Sequence, residues 1–166
     1  MSSAKKHSKE VIPSGLDDKT HAELRLIFED STRTILFAKG MQWKTVGATL
    51  AIFAGVIAVF FTIVSQAKFI SSNSEFVNGL GLITYLTATA AVLILVIFQV
   101  WQHTEANKIN ELETYFSSTF IEIRNRKSDL AADISRYVLL LFMIGIIVIC
   151  AVLTDVSLSK LTARYI

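Results

Sequence analysis

Residues 45–67 read TVGATLAIFAGVIAVFFTIVSQA, with no charged side chain between Lys44 and Lys68. A helix crosses the hydrocarbon core of a bilayer with about 17–25 predominantly apolar residues, so this stretch alone is long enough to span. Further along, residues 76–104, FVNGLGLITYLTATAAVLILVIFQVWQHT, form a second uncharged run between Glu75 and Glu105. A third, residues 137–154, YVLLLFMIGIIVICAVLT, is shorter but almost wholly Leu, Ile, Val, Phe and Met. Three such runs predict an all-α integral membrane protein with three transmembrane helices.

The whole chain supports this reading. It has 166 residues, of which 52% are hydrophobic and 18% charged, whereas a soluble domain carries about 25% charge. The charges crowd residues 5–44 and 105–136 and leave the runs between them bare. That segregation marks membrane spans rather than a uniformly apolar globule. Residues 1–15 are polar and contain no apolar stretch, so the first span is expected to serve as its own insertion signal.

The expected organisation follows. Residues 1–16 form a disordered tail and residues 17–43 a cytoplasmic amphipathic helix. Residues 44–67 are span one, 68–77 an external loop and 78–101 span two. Residues 102–136 make a cytoplasmic helical hairpin, 137–156 span three and 157–166 an external tail. The first helix should begin near Asp17–Thr20, where Thr20 and Glu23 have capping-box spacing. No breaker but Gly40 and Gly47 separates it from span one, so one long helix from about 18 to 66 is expected. The hairpin tip is expected at 117–119, where Thr119 and Glu122 repeat the capping-box spacing. The product is a cytoplasmic helical bundle continuous with the membrane bundle.

Lys and Arg set the orientation. Eight lie up to residue 44 and five in residues 102–136, against Lys68 in the first loop and Lys160 and Arg164 in the tail. Thirteen against three predicts a multi-pass protein of the cytoplasmic (inner) membrane, with the N-terminus cytoplasmic and the C-terminus external. Trp43, Trp101 and Tyr137 then become interface anchors at the cytoplasmic side, since amphipathic rings prefer the headgroup level.

Helices in lipid gain no hydrophobic benefit from pairing and associate through stripes of small residues. Gly47, Ala51, Gly55 and Ala58 of span one, with Gly81, Thr84 and Ala88 of span two, are the candidate helix-packing positions. The simplest arrangement packs spans one and two closely and leaves bulky span three facing lipid. Thr84, Thr87 and Thr89 allow two readings: they line a pore in an oligomer, or they bond their own helix backbone.

Candidate chemistry is sparse. His21-Ala-Glu23 and His103-Thr-Glu105 share a pattern, but positions i and i+2 of a helix point to different sides, so neither pair chelates naturally. Cys150 sits in an apolar run with no basic neighbour and reads as a small hydrophobe. A single cysteine forms no intrachain disulfide. The glycines form no phosphate-binding loop, and a net charge of +2 gives no argument for nucleic acid. No catalytic, cofactor or metal site and no small-molecule substrate is expected.

The expected partners are the bilayer itself and either further copies of the chain or another membrane protein. The candidate partner surface is Phe116, Phe120, Arg124, Arg126 and Lys127 in the hairpin. The expected function is a non-catalytic accessory or scaffold subunit acting through its cytoplasmic bundle. The alternative is a homo-oligomeric membrane effector or pore of a defence or stress type.

Overall fold

The computed structural model describes residues 15–64, 74–117 and 129–165. Within them the chain is entirely helical: α1 (Asp18–Val64), α2 (Ser74–Glu113) and α3 (Asp129–Tyr165). All three are long and apolar enough to cross a membrane, as the three uncharged runs predict. At 1.5 Å per residue, the 47 residues of α1 reach about 70 Å, more than twice the roughly 30 Å hydrocarbon thickness. The helix therefore continues well past its apolar segment, running through Gly40 and Gly47 without a break.

The start of α1 differs from the capping-box expectation. The His21 amide donates to the Asp17 carbonyl at 2.9 Å, so Asp17 rather than Thr20 holds the N-cap position. Asp is among the preferred N-cap residues, and it places Thr20 inside the first turn. At the far end of α2, three tightened bonds close the helix: Thr114 to Glu111, Tyr115 to Leu112 and Phe116 to Glu113. The chain thus leaves the helix at 114–116, just before the expected tip. The tip itself, the Thr119–Glu122 spacing and most of the expected external loop lie outside the described residues.

The helices pack as an up-down-up bundle in which every pair is in contact. One core cluster joins Val46 and Phe53 of α1, Ala91 and Leu95 of α2, and Met143, Ile147 and Ala151 of α3. A second joins Val56 and Phe60 to Leu80 and Leu158. The buried positions recur at steps of three and four: Gln42, Val46, Thr49, Phe53, Val56 and Phe60 on α1, and Met143, Ile147, Ala151, Thr154 and Leu158 on α3. This spacing keeps a seam facing its neighbours along nearly parallel helices.

Within the chain, the packing differs from the simplest arrangement at two points. The seam of α1 is built from larger side chains, while Gly47, Ala51, Gly55 and Ala58 lie exposed on the opposite face. A Cβ added at Gly47 or Gly55 would meet nothing within 4 Å. The physical reason is that a Phe knob fits between the residues of a facing helix, so close backbone approach is not needed where α1 meets α2. Span three is not left outside either, because Met143 and Ile147 are fully buried. On α2, Thr84 is buried, and Gly81 and Ala88 are half-buried.

The most apolar window of each helix is only 28%, 22% and 22% buried. Leu86, Ile97, Leu141 and Ile149 are among the large side chains turned outward. Contiguous apolar surface of this extent marks contact with lipid or protein rather than with water, which fits a multi-pass membrane protein.

Candidate functional site

Besides Thr49 and Thr84 within the apolar segments, the buried polar groups of α1 and α2 lie where the apolar segments give way to the charged extension. Ser31, Gln42, Gln99, Gln102 and Glu105 are all buried. Their spacing explains the meeting. On α2 the seam Leu95, Gln99, Gln102, Ala106, Ile109 turns one side toward α1, and two of its positions carry carboxamides.

The hydrogen bonds form a directed chain. Gln102 Nε2 donates to Gln42 Oε1 at 2.9 Å. Gln42 Nε2 donates to the Leu95 carbonyl at 3.2 Å and, at 3.4 Å, to Gln99 Oε1. Gln42 is thus the hub, holding two side chains and one backbone group of α2. Away from water each such bond is electrostatically stronger, and a chain of them polarises its members in one direction. Gln99 is the acceptor end, and its Nε2 donates to no group among the described residues.

Along α2 toward the charged end lies an ionic node. Lys108 Nζ donates to Glu105 Oε1 at 2.7 Å, and Ser31 of α1 lies close to the same carboxylate. The Lys108 bond holds the Glu105 carboxyl below its ordinary range, against the opposing effect of burial and with help from Ser31. Lys108 is half exposed, so the carboxylate is buried while its cation reaches water.

Three aromatic residues sit at the glutamine level. Trp43 follows Gln42 in sequence, Trp101 stands between Gln99 and Gln102, and Tyr137 shares a groove with Gln99 and His103. All three rings are about half exposed. Trp101 stacks on Phe98 and meets Phe37 edge-on.

The other predicted residues are dispersed. Phe116 packs its ring against His21 and Phe28 of α1, with centroids 5.7 and 6.0 Å away. It therefore closes the bundle of its own chain. Phe120, Arg124, Arg126 and Lys127 lie outside the described residues. Thr84 is buried in the core and bonds the Leu80 carbonyl, while Thr89 is exposed and bonds the Tyr85 carbonyl. These two threonines face different sides of α2 and present no common lining. His21 and His103 sit at separate levels, one in the aromatic cluster and one beside Gln99. At the opposite end of the bundle Tyr85 lies close to Asp155, whose carboxylate is 3.6 Å from where a Cβ of Gly81 would stand.

The sequence shows Gln99 as a polar residue near the end of span two but does not show its partners. The signal for them is Gln42 and Gln102, each at a seam position otherwise occupied by apolar residues. No family model matches the chain, nor does any curated protein or solved structure.

Proposed function

We propose that this chain is a non-catalytic accessory or scaffold protein of the cytoplasmic membrane, N-terminus inside, that docks a partner through the outer face of α1. The observation that carries the reading is apolar surface on the charged extension, beyond the lipid-facing segment. Leu26 is 70% and Leu36 63% exposed, on the side of α1 opposite its buried seam. Large apolar side chains exposed above the bilayer mark a contact surface. Asp30 and Arg33 flank them along a shallow groove that Leu26 and Ile27 also line. This face replaces the hairpin as the favoured docking surface, because Phe116 is engaged within its own chain.

A second reading, a homo-oligomeric effector, is favoured by the exposed Gly47, Ala51, Gly55 and Ala58 on the same side of α1. Small residues on a lipid-facing stripe admit a close second helix. Extraction in a mild polymer, followed by particle mass and composition, separates the two. Stoichiometric foreign subunits that are lost from a Leu26→Lys, Leu36→Lys variant support docking. A particle of several identical chains that falls to monomers in Gly47→Leu, Gly55→Leu replaces that reading with the second.

A further inference from the structure

We infer that the groove between α2 and α3 at the glutamine level is a binding site for one membrane phospholipid, whose ester carbonyl accepts a hydrogen bond from Gln99. The groove has a volume of about 210 Å³ and is lined by Val96, Gln99, Val100, His103, Tyr137 and Leu140.

Gln99 supplies the polar contact. The residue is 6% exposed, and its Oε1 accepts from Gln42. The direction of the chain from Gln102 through Gln42 fixes Gln99 with its oxygen toward α1, leaving Nε2 as the spare donor. That amide nitrogen meets no acceptor among the described residues and is not sealed from the surface, so an acceptor can reach it. The surface available to the side chain is the groove it lines. An acceptor entering there would complete the chain, and polarisation by the two preceding bonds strengthens the donation.

Depth selects the occupant. Gln99 lies two residues from Trp101, about 3 Å along the helix, and shares the groove with Tyr137. Interfacial Trp and Tyr rings sit at the headgroup level, next to the layer where the ester carbonyls of phospholipids lie. Val96, Val100 and Leu140 continue the groove with apolar contact, which suits an acyl chain. His103, exposed at the groove and one turn beyond Gln99, suits the phosphate. One molecule thus presents phosphate, carbonyl and hydrocarbon in the order in which the protein presents imidazole, carboxamide and aliphatic side chains.

The test uses the full chain in detergent and native mass spectrometry. The probes are dioleoyl phosphatidylglycerol and its diether analogue, which has the same headgroup and chains but no carbonyls. The first lipid bound should favour the diester about five-fold, the value of one net hydrogen bond. Gln99→Met, which keeps the size and removes the donor, should bind both lipids equally. Leu140→Trp fills the groove from the α3 side, leaves all three glutamines in the sequence and should lose the diester preference. Equal binding of diester and diether by the wild-type chain overturns the proposal. So does a diester preference that survives Leu140→Trp, which would place the carbonyl elsewhere. Decylubiquinone binding that depends on Gln99, with no diester preference, would also overturn it and assign the groove to a quinone carbonyl.

Discussion

Gln42 on α1 and Gln99 on α2 stand 57 residues apart in sequence, yet the Gln42 amide nitrogen lies 3.4 Å from the Gln99 carbonyl oxygen. The contact is long for a hydrogen bond, and it is the shared Leu95 carbonyl at 3.2 Å and the Gln102 donor at 2.9 Å that fix Gln42 in place. Three carboxamides therefore act as one unit, and their value to the fold depends on all of them being present.

Removing the hub alone should destabilise the bundle. Gln42→Leu leaves the Gln102 side-chain donor and the Gln99 side-chain oxygen without their partner, at about 2 kcal/mol. Replacing Gln42, Gln99 and Gln102 together with Leu should recover most of that loss, because no buried polar group is stranded. Unfolding by sodium dodecyl sulfate in mixed micelles measures both. A triple variant less stable than the single one would show that the glutamines contribute net stability as a network.

Stability should fall in acid because of Glu105. Its folded pKa is held below the ordinary 4.5, chiefly by Lys108. A depressed carboxyl pKa stabilises the fold fully above the unfolded value, and that contribution is lost as pH drops through the folded value. The melting temperature of the purified chain should therefore be flat above 4.5 and decline below it. Glu105→Gln should flatten the decline, and Lys108→Met should shrink it. Stability that rises on acidification would contradict the assignment.

Burial, not hydrophobicity, should decide the cost of core changes within the apolar windows. Leu95 is fully buried, and Ile97 is 65% exposed. Leu95→Ala opens a cavity and should cost about 2–4 kcal/mol. Ile97→Ala exchanges one lipid contact for another and should be within about 0.5 kcal/mol of wild type. The same mixed-micelle unfolding distinguishes them. Equal losses would mean that α2 is rotated about its axis, with Leu95 no longer turned into the core.

Orientation is open to chemical labelling. In a Cys150→Ala background, Asn107→Cys and Ser159→Cys place single thiols on exposed positions at opposite ends of the bundle. A membrane-impermeant maleimide should label Ser159→Cys in intact cells and Asn107→Cys only after permeabilisation. The reverse pattern would invert the proposed topology.

Legibility in the sequence varies by feature. The three uncharged runs announce three helices, since run length and absence of charge are local properties. The packing faces are not legible in the same way, for a definite reason. In a soluble helix a polar side marks the outside, but residues 45–67 are apolar all round, so no contrast shows which side turns inward. Small residues are the available cue, and on α1 they occupy the exposed face, leaving Phe53 and Phe60 to make the core. At Phe116 the cue is an exposed-looking aromatic on a hairpin, and only its neighbours His21 and Phe28 reveal its role.

The sequence by itself thus determined that the chain is helical and has three helices able to span a membrane. Those properties follow from transferring continuous segments out of water, a sum over neighbouring residues. Tertiary structure alone decided that Gln42 meets Gln99 and Gln102, that Ser31 lies on the Glu105 side of α1, and that the glycine stripe of α1 faces away from its own bundle. These depend on which faces of separate helices coincide. In lipid that choice rests on side-chain fit and on satisfying buried donors and acceptors, quantities defined only between helices.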